Sequence, residues 1–266
     1  MDVRQVIREM DGLYELNKPD AVEPFLLEKM EEARAERDFD SLVTLLNEGI
    51  GYYRDRAKYD KCLLCCREVR KTLDDMGMKG SVPYATTLLN IATAYRAAGM
   101  LDASMEVYRE VFQIYEERLD KSDYLFASLY NNISLLYEQK GDYNSAISYL
   151  EKALDIVKAY PDQRISLATS HVNMASALLK TSRWEQAEDH LKSAFDIFHQ
   201  DERKDFHYGM ALAAMGEFLY RKQAYEEAEL MVLLAMQKLE AHVGKTDGYR
   251  RLEDNLKEIR KKLGKA

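Results

Sequence analysis

A large side chain recurs along this sequence at a nearly constant interval. It is found at Tyr59, Leu101, Tyr143, Trp184 and Tyr225, at successive intervals of 42, 42, 41 and 41 along the chain. Each of these five marker residues follows a short break in the helical pattern, and the position three residues later is small. So little drift over five copies indicates an internal repeat, and a repeat constrains the fold more strongly than any single motif.

The residues around each marker follow the 3.6-residue period of an α-helix. Small residues lie three positions after the markers, at Cys62, Ser104, Ala146, Ala187 and Ala228. Further packing positions follow at steps of four and three, so they share one face of a helix. The preceding helix supplies large residues six positions before the markers, at Tyr53, Tyr95, Tyr137, Leu178 and Leu219. Each unit is therefore predicted to be a hairpin of two antiparallel helices joined by a short turn.

Composition favours helices nearly throughout the chain. Only 12 of the 266 residues are Gly and 4 are Pro, whereas sheet-rich folds need both for their turns. Scarce Gly also argues against the Gly-rich phosphate loops of nucleotide enzymes. With 47% hydrophobic and 32% charged residues, the chain is too apolar to be disordered and too charged for a membrane protein. The predicted fold class is all-α.

The repeat resembles the tetratricopeptide repeat. The third copy carries the small, aromatic and glycine positions of that family at Ser134, Tyr137, Gly141, Tyr143, Ala146 and Ala153. The family's usual unit has about 34 residues. The longer unit here, with the stretch LYNNISLLYEQKGDYNSAISYLEKALDI, is similar to the kinesin light chain subtype. This resemblance covers residues 40–240 and implies a right-handed superhelical solenoid of antiparallel helix hairpins.

The pattern divides the chain into three parts. Residues 1–37 are expected to form N-terminal helices, as a degenerate repeat or a cap, and residues 246–266 are expected to form a C-terminal capping helix. Caps are expected because the end repeats of a solenoid would otherwise expose their core surface. Between these parts we expect five hairpins, at residues 38–77, 83–119, 124–160, 165–201 and 205–242.

A solenoid offers a concave groove, which the resemblance assigns to the first helix of each hairpin. Side chains one or two positions off the core face of those helices are candidates for ligand contact: Asn47, Asn90, Thr93, Asn131, Asn132, Asn173, Ser176, Glu217 and Tyr220. Asn90, Asn132 and Asn173 are equivalent, at spacings of 42 and 41. An amide side chain both donates and accepts hydrogen bonds, so such a column can pair with an extended peptide backbone of any sequence.

The resemblance to kinesin light chains implies that these asparagines hold a bound peptide. Hydrogen bonding between helices is the alternative role, and solvated polar filler is another. Asparagine is a poor residue for a helix interior because it competes for backbone hydrogen bonds. Its recurrence at matched positions therefore calls for a specific role.

The sequence lacks the arrangements that are typical of catalytic or metal centres. Cys62, Cys65 and Cys66 include a CxxC spacing, but no second Cys or His pair lies nearby, and two of them occupy core positions of the repeat. His171 falls on a core position and is expected to be packed and hydrogen-bonded. We therefore expect a protein that is not an enzyme and that uses no metal and no cofactor.

Charge and hydropathy limit the classes of partner that we expect. The net charge of −8 argues against general nucleic-acid binding, which needs a basic face. No apolar run approaches the roughly 18 residues that span a bilayer, and the N-terminus shows no secretory signal. We expect a cytoplasmic protein with a protein or peptide ligand and with neither nucleic acid nor membrane as partner.

Three functions are compatible with these features. The first is a scaffold or adaptor that binds an extended peptide or a partner helix in its groove. The second is a receptor for a short peptide pheromone, although residues 1–36 are too short and too weakly basic for the DNA-binding helix-turn-helix that many such receptors carry. The third is a structural or oligomerising repeat protein, and the sequence leaves the oligomeric state open.

Overall fold

The computed structural model describes residues 1–16, 18–200 and 206–265. Within these ranges the chain forms thirteen α-helices and no strand, which confirms the all-α fold class. The chain divides into two compact units, Met1–Arg118 and Leu119–Ala266. The repeat period in the sequence does not mark this division.

Each unit is a series of helical hairpins. The helices of unit 1 are α1 (Val3–Glu15), α2 (Val22–Glu36), α3 (Phe39–Asp55), α4 (Tyr59–Asp75), α5 (Val82–Ala97) and α6 (Leu101–Arg118). Those of unit 2 are α7 (Tyr124–Gln139), α8 (Tyr143–Val157), α9 (Arg164–Lys180), α10 (Trp184–Gln200), α11 (Phe206–Arg221), α12 (Tyr225–Val243) and α13 (Asp247–Lys262). Every marker residue is the first residue of the second helix of its hairpin. The expected segment ends at 201, 205 and 266 lie outside the described residues.

A small side chain holds the two helices of each hairpin together. Ala146, Ala187 and Ala228, three residues after their markers, are completely buried. Cys62 and Ser104 fill the same position in unit 1, and each donates a hydrogen bond to a backbone carbonyl of the first helix, at 3.4 and 2.7 Å. A small residue at this point lets the two helices approach closely, and the larger side chains around it then fill the space between them.

The hairpin turns share one backbone conformation. Two residues before each marker lies a residue with positive φ, at Ala57, Gly99, Gly141, Ser182 and Gln223, with φ values of 55°, 78°, 79°, 60° and 63°. In every copy the next N–H donates to the carbonyl of the large residue six positions before the marker, over 2.9 to 3.0 Å. This bond satisfies a carbonyl at the end of the first helix. Three non-glycine residues thus adopt the left-handed conformation that glycine adopts at the other two turns.

Stacking of the hairpins gives each unit an inner and an outer side. In unit 1, α3 contacts α5, and in unit 2, α9 contacts both α7 and α11. The second helices of neighbouring hairpins are farther apart than these first helices. The first helices therefore form the inner side of each unit, which is the side where a groove was expected.

The last helix covers the end of unit 2. Leu252, Leu256 and Ile259 of α13 are buried against a cluster that includes residues of α12. Arg260 and Lys265 both pair with Glu229 of α12, at 2.7 Å. The apolar face of α13 thus shields the core of the last hairpin from solvent.

The turn conformation predicts a stabilising substitution. Gln223→Gly is expected to raise the free energy of unfolding by about 0.5–1 kcal/mol, because a side chain in the left-handed region costs about 1–2 kcal/mol and the added flexibility of the unfolded glycine offsets part of the gain. The reverse change at an equivalent turn, Gly141→Gln, is expected to lower it by a similar amount. Urea unfolding followed by circular dichroism measures both, and equal stability of the two variants would contradict the prediction.

Candidate functional site

All nine candidate groove residues lie on first helices and are half-buried. Unit 1 holds three of them, on α3 and α5: Asn47, Asn90 and Thr93. Unit 2 holds the other six, on α7, α9 and α11: Asn131, Asn132, Asn173, Ser176, Glu217 and Tyr220. Half-burial means that the protein contacts each side chain while part of it stays open to solvent.

In unit 1, Asn47 joins the two neighbouring first helices. Its Nδ2 donates to the carbonyl of Val43 at 2.9 Å, within α3, and to Oγ1 of Thr87 on α5 at 3.3 Å. Its Oδ1 accepts a hydrogen bond from Nδ2 of Asn90 at 2.9 Å. One amide thus makes two bonds across the α3–α5 contact.

In unit 2, Asn131 makes the same set of bonds. Its Nδ2 donates to the carbonyl of Ala127 at 3.1 Å and to Oγ of Ser170 on α9 at 2.8 Å. Its Oδ1 accepts from Nδ2 of Asn173 at 3.4 Å. The α7–α9 contact is therefore bridged as the α3–α5 contact is.

The two sets occupy equivalent positions of the repeat. Asn47 and Asn131 lie equally far before their own markers, and their partner asparagines lie equally far before the next markers. The accepting hydroxyl is in both cases three positions before the partner asparagine. We call this arrangement the amide bridge: Asn47, Thr87 and Asn90 in unit 1, and Asn131, Ser170 and Asn173 in unit 2.

The other candidates make different contacts. Asn132 donates to the carbonyl of Ser128 at 2.9 Å, and Thr93 donates to the carbonyl of Leu89 at 2.9 Å. Ser176 lies on α9, three residues beyond Asn173. These residues are not members of an amide bridge.

The last two candidates lie on α11. Glu217 accepts hydrogen bonds from Lys180 at 2.7 Å and from Arg221 at 3.3 Å, so its carboxylate is neutralised by neighbouring cations. The ring of Tyr220 lies 5.6 Å from that of Tyr225 and packs against the core beside α12. Tyr220 therefore packs within its own hairpin.

Sequence reasoning missed a column of hydroxyl side chains. Thr86, Ser128 and Thr169 lie four residues before the matched asparagines, so each stands one helical turn before an amide. Thr86 is exposed, and Ser128 and Thr169 are half-buried. The signal that could have revealed them is their recurrence at spacings of 42 and 41, the same as those of the asparagines.

The outer side of unit 2 contains a polar crevice. It lies between α8 and α10 and has a volume of about 290 Å³. Met174 and Leu178 of α9 line its base. Charged groups from both walls line it: Glu151, Asp155, Lys158, Arg183 and Asp189. The separation of the second helices in the stack leaves this space open.

A pair of histidines lies beside the crevice. Nδ1 of His171 on α9 is 2.8 Å from Nδ1 of His190 on α10, so one neutral ring donates and the other accepts. Burial, the charge of His190 and the charge of Lys158 lower the pKa of His171 to about 4. Burial, Lys158 and Arg183 also lower the pKa of His190, against an opposing effect of Asp189. Both rings are therefore neutral in the folded protein near pH 7.

The described residues hold neither a metal-binding cluster nor a membrane-spanning helix. No group of three or more His, Cys, Asp or Glu side chains within residues 1–16, 18–200 and 206–265 is placed to hold a metal ion. No helix in those ranges is long and apolar enough to span a bilayer. Cys62, Cys65 and Cys66 are all buried and unpaired by disulfides.

Comparison with known sequences identifies the repeats. A sequence model of the tetratricopeptide repeat matches residues 83–159 and 125–200. Protein kinesin light chain-related 3 of Arabidopsis thaliana is 25% identical over 211 residues, which are 78% of this chain. The chain is a tetratricopeptide repeat protein. It spans 32% of the length of the Arabidopsis relative. The repeats of this chain are like those of kinesin light chains.

Solved structures share the tetratricopeptide fold of this chain. BtubC (BKLC) from P. vanneervenii has a TM-score of 0.56 and 20% identity, over 83% of this chain and 85% of that protein. NprR in complex with its cognate peptide NprX has a TM-score of 0.70 and 16% identity, over 99% of this chain and 74% of that protein. At such low identities these likenesses concern the fold.

The histidine pair predicts how the stability of this tetratricopeptide protein depends on pH. The unfolded chain takes up protons on histidine near pH 6.5, whereas the folded pair stays neutral down to a lower pH. The free energy of unfolding should therefore fall by about 2 kcal/mol between pH 7 and pH 4.5, at about 1.4 kcal/mol per unit of pKa difference. Urea unfolding at several pH values, followed by fluorescence of the single tryptophan, Trp184, measures the change.

Two variants separate this effect from other titrations. The double variant His171→Gln, His190→Gln should lose clearly less stability over that pH range than the parent. The variant His199→Gln, which removes an exposed histidine of α10, should behave like the parent. A double variant with the full pH dependence of the parent would show that the pair is not its source.

Proposed function

We propose that this tetratricopeptide repeat protein is a protein-interaction scaffold or adaptor, and that the inner side of its units binds an extended peptide or a partner helix. The observation that carries the proposal is the set of half-buried asparagine amides on α5, α7 and α9. Their side chains are held on the face formed by the first helices. Each unit has its own patch of such residues.

The chemistry of the patches suits recognition. Amides and hydroxyls neither gain nor lose protons near neutral pH, so they can hold a ligand but cannot serve as general acids or bases there. An extended peptide backbone offers one donor and one acceptor per residue, as an asparagine side chain does. For this reason we propose binding and not catalysis.

The similar proteins support a peptide or protein as ligand. NprR, which matches 99% of this chain in fold, was solved in complex with its cognate peptide. Kinesin light chain-like repeats occur in the relatives found both by sequence and by structure. Tetratricopeptide proteins of these kinds are typically interaction modules.

A receptor for a short peptide signal is the second candidate function. The same likeness to NprR, with its TM-score of 0.70, favours it. The two functions differ in the ligand, since a receptor binds a free short peptide and a scaffold binds a segment of a larger protein. If a free synthetic peptide binds this chain as tightly as does the larger protein that contains the same segment, the receptor function is favoured.

Removing the matched amides tests the proposal. A peptide selected from a random phage-displayed library against the intact chain serves as the probe, and its affinity is measured by titration calorimetry. The triple variant Asn90→Ala, Asn132→Ala, Asn173→Ala should bind it about 100-fold more weakly, since each lost amide contact is worth about 1 kcal/mol.

A matched control removes asparagines from elsewhere. Asn144 on α8 and Asn255 on α13 are exposed and lie outside the inner side. The double variant Asn144→Ala, Asn255→Ala should keep the affinity of the parent. If the triple variant keeps its helical spectrum and also binds like the parent, the amides do not form the binding site.

A further inference from the structure

The amide bridges divide the candidate asparagines into two kinds. An asparagine amide has two N–H donors and one carbonyl oxygen that can accept twice. Asn47 uses both donors, on Val43 and Thr87, and its oxygen accepts from Asn90. Asn131 likewise uses both donors, on Ala127 and Ser170, and accepts from Asn173.

The amides of Asn90 and Asn173 keep most of their hydrogen-bonding capacity. Each gives one N–H to its bridge, at 2.9 Å for Asn90 and 3.4 Å for Asn173. Within residues 1–16, 18–200 and 206–265, the second N–H and the carbonyl oxygen of these two amides have no hydrogen-bonding partner. Each amide thus retains one donor and one acceptor side by side.

The orientation of the bridging amides is imposed by backbone carbonyls. A carbonyl can only accept, so the atom of Asn47 that faces Val43 must be the nitrogen, and the same holds for Asn131 and Ala127. In unit 2 the hydroxyl of Ser170 donates to the carbonyl of Ser166 at 2.9 Å, so toward Asn131 it accepts. The oxygen of each bridging amide is therefore left to face the next helix.

That oxygen in turn fixes the neighbouring amide. Only an N–H can bond to it, so Asn90 and Asn173 must turn their nitrogens toward the bridge. We infer that Asn47 and Asn131 are positioning residues, which orient the amides of Asn90 and Asn173 so that one donor and one acceptor face a bound peptide backbone. This inference rests on the proposed function, and it separates residues that touch the ligand from residues that act through them.

The buried hydroxyls complete the arrangement. Thr87 is 6% exposed and Ser170 is 0% exposed, so neither is open to a ligand. Each lies inside its amide bridge, where its hydroxyl oxygen accepts a hydrogen bond from the second N–H of Asn47 or Asn131. The neutral groups of the bridge select no charge, so the recognised feature is an extended main chain with both its N–H and its C=O unpaired.

The first test needs no ligand. Nuclear magnetic resonance relaxation of the side-chain amides reports how well Asn90 and Asn173 are held. In Asn47→Ala the order parameter of the Asn90 amide should fall, from about 0.8 to below 0.6 on the usual scale, while that of Asn173 stays unchanged. Asn131→Ala should produce the opposite pattern, so each variant is the control for the other.

Isosteric variants guard against a loss of folding. Thr87→Val and Ser170→Ala remove the accepting hydroxyl with little change of volume, and they should loosen the amides of Asn90 and Asn173 respectively. If the order parameters of the Asn90 and Asn173 amides are unchanged in all four variants, the inference is overturned.

The second test is a double-mutant cycle with the phage-selected peptide as probe. We expect about 5-fold weaker binding for Asn131→Ala, about 5-fold for Asn173→Ala, and still about 5-fold for the two together, because the first acts through the second. The same pattern is expected for Asn47 and Asn90. Losses that multiply to about 25-fold would mean that Asn131 acts independently of Asn173, and would overturn the inference.

The two proposals fail in different ways. If Asn90→Ala and Asn173→Ala bind the probe as tightly as the parent does, the proposed function fails, while the order parameters still decide whether the bridges position these amides. If those variants bind weakly but the bridge variants neither bind weakly nor loosen the amides, only the positioning role fails.

Discussion

The close approach of two helices at one small side chain is the contact on which each hairpin depends. At Ala146, Ala187 and Ala228 the side chain is fully buried, and a larger one would force the helices apart. The turn that precedes it reverses the chain within a few residues, through one residue with positive φ. Together the turn and the small residue fix the angle of the hairpin, which decides which side of each first helix stays open.

Within each unit, neighbouring first helices contact one another through one of two kinds of chemistry. Amide bridges join α3 to α5 and α7 to α9. At the α9–α11 contact the equivalent positions hold Val172, Ala211 and Ala214, which are buried and apolar. The bridge is thus not needed for stacking as such, since apolar residues serve at the same place. This contrast supports a role for the bridges beyond holding the helices together.

Much of the architecture could be predicted from the sequence. The regular interval between markers predicted where five helices begin, because each marker is the first residue of the second helix of its hairpin. The asparagine column at Asn90, Asn132 and Asn173 was visible for the same reason. Its partners were not, because Asn47 and Asn131 lie one position off that column, and spacing does not show which amide faces a neighbouring helix. That depends on side-chain rotamers and on the distance between helices.

The histidine pair shows a second limit of sequence reasoning. His171 and His190 belong to no motif and are well separated along the chain, and they meet only because α9 and α10 fold back on each other. The sequence placed His171 in the core of its helix but gave no sign of its partner. The crevice beside the pair was equally invisible, since it arises from the separation of α8 and α10.

The neutral chemistry of the amide bridges also has a consequence for how fast a ligand can bind. Donors and acceptors without net charge exert no long-range attraction, so they cannot steer a ligand toward the protein from a distance. For a ligand without net charge, association then proceeds by random encounter and orientation, at about 10⁵–10⁶ per molar per second, and changes little with ionic strength. Differences in affinity between ligands of these patches would therefore arise from how long each one stays bound.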